Sequence, residues 1–386
     1  MEIITNKLKL IPIDESYTNV IFREFNDKVC KYMYPKPAEN LLETKNFIDS
    51  SIKKYIDGTD IVFVIILIET NEFIGCVGLH HINTTTPELG IWTKISSHGN
   101  GYGYEAILRV IDYANNNYTI EYFIYPVDRR NYPSRRIPER LNGHIVNCYN
   151  KNSSSGFPLE IIEYRISLHK TIEPPNFIKP IIVFQGDSIT DCNRNRDDHN
   201  SLGEGYVKIL ANYLPDAKII NQGISGHRSA ELLSRWQDET LSTKPDLISI
   251  LIGINDIWHL YKFGKKLQPD EFENNLTQIL INTKKALPNT KILMIEPFAF
   301  PIGEYEPIWQ ADLDKEILVT RKLAEKFADY YIPMQTIIND VAQSYQMTKI
   351  LGDGVHPTPL GHQLIADSLL STMCVFIRDF KKKSGF

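Results

Sequence analysis

A chain of 386 residues is long enough for two domains that each bury a core, and 42% hydrophobic with 23% charged residues describes a globular protein, not a disordered or fibrous one. A net charge of -5 and a pI near 6.1 give no electrostatic reason to expect nucleic acid or an anionic membrane as partner. Cysteines at 30, 76, 148, 192 and 374, odd in number and without a CxxC pair, argue against a disulfide framework or a structural zinc and for a reducing compartment.

The opening stretch MEIITNKLKLIPI alternates polar and apolar residues like a strand and lacks the long apolar core and small-residue cleavage site of a secretory leader. The longest apolar run, IVFVIILI at 61 to 68, falls far short of the roughly 20 residues that cross a bilayer. The expectation is a cytoplasmic protein with no membrane partner. In chain order the periodicity predicts a strand near 7–12, helices near 16–33 and 41–57, strands at 61–68, 73–80 and 88–94, and a helix from about 103 to 117, a mixed α+β pattern.

Between the last of those strands and helices lies SSHGNGYGYEAI, residues 96–107. Glycines at 99, 101 and 103 let several backbone amides converge at a helix N-terminus, an arrangement suited to a pyrophosphate and equally to an ordinary turn. These glycines do not form a GxGxxG followed by a strand-end acid, which sets a dinucleotide-binding fold aside. The order strand, glycine loop, helix, strand IEYFIYPV, then NYPSRRIPERLNG resembles the GNAT acetyltransferases over about 3–168, among them the type that acetylates N-terminal amines of ribosomal proteins. That resemblance implies that His98, Gly99, Asn100, Gly101, Tyr102 and Gly103 hold the pyrophosphate of acetyl-CoA, that Asn131 and Ser134 contact its pantetheine arm, and that a protein or small amine is the acceptor. The chain departs from the family at His98, where Arg or Gln is usual, and at His144, where Phe is common after Gly143. Glu88 stands where a general base could act, although a carboxylate at an exposed strand edge would read the same way.

Three prolines within HKTIEPPNFIKP, 169–180, interrupt every periodicity and mark a short, semi-rigid linker. The domains are therefore expected at 1–168 and 181–386. Beyond the linker, short apolar runs at 181–184, 218–220, 246–252 and 291–295 alternate with amphipathic stretches near 204–213, 229–241, 270–287 and 312–328. This pattern predicts a flavodoxin-like α/β/α sandwich on a parallel sheet, with its site beyond the carboxyl ends of the strands. The run KKK at 381–383 reads as a solvated tail.

The chemistry of this half is carried by FQGDSIT at 184–190 and DGVHPTPLGH at 353–362. A serine hydroxyl needs an imidazole to take its proton and a carboxylate to hold that imidazole, and Ser188, His356 and Asp353 supply all of these groups. Ser188 could alternatively be the N-cap of a strand-to-helix turn. His356 could be a surface residue, or with His362 a loose metal ligand, a weaker reading. Between the brackets, NQGISG and IGIND offer the backbone N–H of Gly223 and the side-chain amide of Asn255 to an oxyanion, with the Ser188 N–H as a further donor. A tight turn at Gly223 and a helix cap at Asn255 are the structural alternatives.

These blocks resemble the SGNH (GDSL) hydrolases, and GEGYV, SRWQDETLSTKPDLISILIGINDIW and EPF at 296–298 extend the likeness to the cytoplasmic acetylxylan esterases of that superfamily. The resemblance covers nearly all of 181–375 and implies a serine esterase that removes acetyl groups from sugars, without metal or cofactor, in a chain able to form homo-oligomers. Trp258, Tyr261, Trp309 and Arg228 are candidates to stack on or bond a sugar, or to pack the core. Alternative readings make the transferase the main activity, with the hydrolase editing its acylated product, or make the N-terminal half a binding module with no catalysis.

Overall fold

The structure is a computed structural model that describes residues 2–167, 178–265, 268 and 270–383. The chain divides into two compact units, 1–175 and 176–386. Of the expected linker, only 178–180 fall among the described residues.

The first unit is built on one sheet. Its strands are β1 (Ile3–Ile4), β2 (Leu8–Pro12), β3 (Asp60–Leu67), β4 (Glu72–His80), β5 (Glu88–Thr93), β6 (Phe123–Asp128), β7 (His144–Asn152) and β8 (Pro158–Ile166), in the order β1-β2-β3-β4-β5-β6-β8-β7. The apolar run in β3 is continuous because both faces of the sheet are covered. Val62, Val64 and Ile66 pack with Ile48 and Ile52 of the helix Leu41–Ile56. On the opposite face Phe63 meets Tyr113 of the helix Tyr102–Asn117, ring centroids 6.0 Å apart.

Neighbouring strands are antiparallel except β5 and β6, which run parallel and pair only at Glu88 and Ile124 before parting. The helix expected over 16–33 is broken. It runs from Thr18 to Glu24, stops, and restarts as the turn Asp27–Cys30, because the Asn26 side chain accepts from the N–H groups of Lys28 and Val29 and caps a new start.

The second unit has a wholly parallel sheet of β9 (Ile181–Gly186), β10 (Lys218–Asn221), β11 (Leu247–Leu251), β12 (Lys291–Ile295) and β13 (Tyr330–Ile332), in the order β10-β9-β11-β12-β13. Order reverses at β9, so the crevice beyond its carboxyl end is where such a fold places a site. Ile248, Ile250 and Ile252 bury themselves against Phe272, Leu276, Ile279 and Leu280 of the helix Glu271–Ala286. Trp236 locks this layer, its ring buried and its Nε1–H donated to Thr283 Oγ1 at 2.9 Å.

The helix Pro359–Lys383 is long and apolar enough to cross a bilayer by length and composition, yet 61% of its apolar window is buried within the fold. Its face of Ile365, Ala366, Leu369, Leu370 and Met373 is core. The lysines at 381–383 are therefore the last turn of a packed helix and not a tail, and Lys381 Nζ donates to Asp216 at 2.5 Å.

Candidate active site

In the second unit, β9, β10 and β11 end side by side, with Gly186 in register with Leu251 and Phe184 with Asn221. The segments that follow these ends carry Ser188, Gly223 and Asn255. Parallel pairing thus delivers three residues, far apart in sequence, to one edge of the sheet.

Ser188 opens the short turn Ser188–Asp191, whose N-cap is Asp187; the Asp187 carboxylate accepts from Ile189 N–H at 2.9 Å. Capping is thus done by the preceding residue, which frees the serine hydroxyl. Ser188 Oγ lies 2.9 Å from His356 Nε2, and His356 Nδ1 lies 2.7 Å from Asp353 Oδ2. An Nδ1–H donated to the carboxylate leaves the Nε2 lone pair facing the hydroxyl, the tautomer that proton abstraction requires.

Asp353 also accepts the N–H groups of His356 and Val355 at 2.7 and 2.9 Å, so one carboxylate shapes the loop and orients the ring. Burial alone would raise its affinity for a proton, but these bonds and the imidazole outweigh that and hold the carboxyl below its ordinary value. Further backbone bonds brace the loop: Gly352 N–H to His356 O at 2.9 Å, Glu304 N–H to Asp353 O and Phe300 N–H to Gly354 O, both at 2.8 Å.

Asn255 is 9% exposed, and its Nδ2 donates to His227 O at 3.2 Å. The cap of its helix, Ile254–Phe263, is Gly253, so Asn255 does not serve as a cap. Ser188 N–H is the first amide of its turn and has no intrahelical acceptor.

Gly223 differs from expectation. Its N–H donates to Asn221 Oδ1 at 2.9 Å, so the amide is already engaged. The glycine is required for packing rather than for the approach of a substrate, since a Cβ there would lie 2.3 Å from Asp191 N and 2.7 Å from Thr190 C.

The expected sugar-contact residues separate. Trp309 is fully buried and Tyr261 stacks on it at 5.3 Å, with its hydroxyl bonded to Asp312 and Ile308. Arg228 is paired with Glu231 at the start of the helix Ser229–Arg235. Trp258 alone of the four reaches the reacting groups, its half-buried ring 5.9 Å from that of His356. His362 is a packing residue: it is buried, Nδ1 accepts from Tyr206 N–H, Nε2 meets Cys192 Sγ at 3.2 Å, and burial pulls its pKa down to about 4.

Two buried acids adjoin the site that sequence reasoning did not single out. Asp187 is 1% exposed, its Oδ2 has no hydrogen-bond partner among the described residues, and burial pushes its pKa up to about 7. Asp256, beside Asn255, is pushed up to about 6 by burial and accepts both the N–H and the hydroxyl of Ser229. Both acids sit inside motif blocks, where their neighbours drew the attention.

In the first unit, a cavity of about 580 Å³ is lined by Glu88, Gly90, Trp92, Tyr125, Asn131 and Ser134, among others, and opens along the parting of β5 and β6. Asn131 and Ser134 also begin the helix Tyr132–Arg140, with Ser134 N–H directed at Asn131 Oδ1 and Ser134 Oγ 2.8 Å from Tyr125 Oη. Glu88 is half-buried on an interior strand, not exposed at an edge.

Residues 98–103 are not part of the cavity lining. They form the approach to the helix Tyr102–Asn117, capped by Gly101 at φ 79°, a left-handed conformation that suits glycine. His98 Nε2 is 3.1 Å from Thr93 O, and Asn100 Nδ2 donates to Ser97 O and His98 O, so these side chains hold the loop. His144 opens β7. The first N–H groups of this helix have no intrahelical acceptor.

The parallel sheet and its strand order put the second unit in the flavodoxin-like class, with Ser188, His356 and Asp353 joined in one bonded line. Comparison with known proteins agrees. Residues 184–364 match the GDSL-like lipase/acylhydrolase family, and residues 7–144 match the acetyltransferase (GNAT) domain. Over 203 residues the chain is 32% identical to an acetylxylan esterase of Geobacillus stearothermophilus, spanning 49% of this chain and 91% of that protein. Among solved structures, a GDSL-like lipase from Parabacteroides merdae is 35% identical, with 52% of this chain and 100% of that one covered at a TM-score of 0.47. The structure of the Geobacillus stearothermophilus acetylxylan esterase is 32% identical, with 50% and 92% covered at 0.45. The chain belongs to the GDSL-like lipase/acylhydrolase family, and is a carboxylic ester hydrolase that also carries a GNAT domain.

Proposed function

We propose that the second unit hydrolyses acetyl esters of sugars or oligosaccharides by a Ser188-His356-Asp353 triad. The unbroken run of contacts from Ser188 Oγ through His356 to Asp353, 2.9 and 2.7 Å, carries this reading. As Ser188 Oγ attacks the acetyl carbonyl, His356 Nε2 takes its proton and Asp353 stabilises the imidazolium. The carbonyl π pair becomes an oxyanion facing Ser188 N–H and the free N–H of the Asn255 amide. Collapse expels the sugar alkoxide, which receives the proton from His356. Water then adds to the acetyl-serine by the same steps and releases acetate. This machinery needs no cofactor.

The sugar class follows from the esterase relative, and the Trp258 ring beside His356 supports it by offering a face for a pyranose. Acetate release from acetylated xylo-oligosaccharides tests the reading, with p-nitrophenyl acetate as reference. Ser188→Ala is expected to abolish both reactions, and an unchanged rate would end the assignment.

In the first unit, the cavity at the strand split and the open helix start support acetyl-CoA as ligand. A carboxylate pair supports a cationic amine as acceptor: Glu163 is held above its ordinary pKa by burial and by the charge of Glu88, and Glu88 can take the amine's proton. Labelled acetyl-CoA offered with a panel of amines and sugars checks the transfer. A thermal shift with CoA but no transfer would leave a binding module.

A further inference from the structure

Arg235 is the last residue of the helix Ser229–Arg235, after which the chain widens into a π turn over Trp236–Thr240. It is 8% exposed and each of its guanidinium nitrogens donates. Nη2 bonds Gly186 O at 3.0 Å; Nη1 bonds Gln185 Oε1, Gln222 O and Glu239 Oε2, each at 2.7 Å; and Nε bonds His227 Nδ1 at 3.2 Å.

These acceptors share a position in the chain. Gly186 lies two residues before Ser188, and Gln222 immediately precedes Gly223. His227 is the residue whose carbonyl accepts from the Asn255 amide. One planar fork therefore bonds the segment that leads to Ser188 and the segment that carries Gly223, and reaches Asn255 through His227, without being an oxyanion donor itself. We propose that Arg235 is a positioning residue for the whole oxyanion hole, acting through Gly186, Gln222 and His227; the inference rests on the serine-esterase reading above.

The chemistry requires arginine. Five N–H groups in a fixed plane can meet carbonyls from several loops at once, whereas a lysine ammonium has three donors around a single point and cannot span them. Because Arg235 Nε–H occupies His227 Nδ1, the neutral His227 ring carries its proton on Nε2. Burial, and then the charge of Arg235, hold the pKa of that ring below its ordinary value. Glu239 anchors the fork from the π turn.

Arg235→Lys is expected to lower kcat for p-nitrophenyl acetate by roughly ten- to a hundredfold, short of the loss of a whole donor, with KM within about threefold of the parent. A purely structural role would not tie that loss to the transition state. Methylboronic acid, whose adduct on Ser188 Oγ is tetrahedral, is therefore the decisive probe, and its inhibition constant should rise by the same factor as kcat falls. A folded Arg235→Lys protein whose kcat and boronate inhibition stay within twofold of the parent overturns the proposal, as does a loss that appears only in KM.

If Arg235→Lys fails to fold, Glu239→Gln decides. A fall of about two- to fivefold in kcat, matched in boronate affinity, supports the proposal, and parental values overturn it. Ser188→Ala is measured alongside. An active Ser188→Ala defeats the esterase reading itself, whereas an inactive one beside a parental Arg235→Lys defeats only this inference.

Discussion

The two units prepare for chemistry in different ways. In the hydrolase unit the groups proposed to react already touch one another: hydroxyl, imidazole and carboxylate form one bonded line, and a buried arginine bonds the segments just before Ser188 and Gly223. In the GNAT unit the corresponding groups are apart, arranged around a cavity of about 580 Å³ and along a helix start. The difference follows from who supplies the reactive atom. A side-chain nucleophile must be activated by its neighbours before substrate arrives, whereas an acetyl thioester arrives activated and needs only a shaped and polarised berth.

The largest effect that would break this comparison is on the bonded line. His356→Ala is expected to reduce kcat for acetyl ester hydrolysis by roughly four to six orders of magnitude, because the nucleophile then lacks its base. A loss of less than tenfold would mean that proximity in the fold is not coupling. Next comes the donor set. Asn255→Ala should slow turnover by about two to three orders with little change in KM, read by steady-state kinetics. An effect confined to KM would recast Asn255 as a binding group.

The comparison is sharpened by a change in the other unit. Gly101→Val places a β-branched residue at φ 79° and should remove the thermal shift produced by acetyl-CoA while leaving esterase turnover unchanged. A parallel loss of esterase activity would show that the sites are not separable.

The smallest expected effect concerns the acid beneath the serine turn. With its pKa raised from 3.8 to about 7, folded Asp187 holds a proton that the unfolded chain releases, so its burden on stability grows as pH climbs through that window. Asp187→Asn keeps a capping side chain and removes the titration. The variant should gain more in melting temperature over the parent at pH 8 than at pH 5. An equal shift at both values would contradict the assignment of the proton to Asp187.

Much of this was legible in the sequence because motif and strand end coincide. Short β-branched runs announced β9 to β12, and a nucleophile or donor just beyond a parallel strand has few places to go. β13 escaped because its three residues follow Asp329 and begin with two tyrosines, with no apolar run to mark it. The broken helix over 16–33 turned on a single capping asparagine. Arg235 and Asn221 were invisible for a different reason. Their work is done by hydrogen bonds to backbone far off in the chain, from Asn221 Nδ2 to Thr190 O and Leu202 O and from Arg235 to Gly186 O and Gln222 O, which leave no periodicity and no spacing. The sugar-contact residues divided on burial: Trp309 went to the core and Trp258 to the rim, a distinction that aromatic identity alone does not encode.

Covalent trapping tests the central claim most directly. After incubation with a p-nitrophenyl alkylphosphonate, peptide mass spectrometry should find one phosphonyl group, on Ser188, formed rapidly in the parent and at a strongly reduced rate in His356→Ala. Labelling at another residue, or equal labelling rates in the two proteins, would contradict the account.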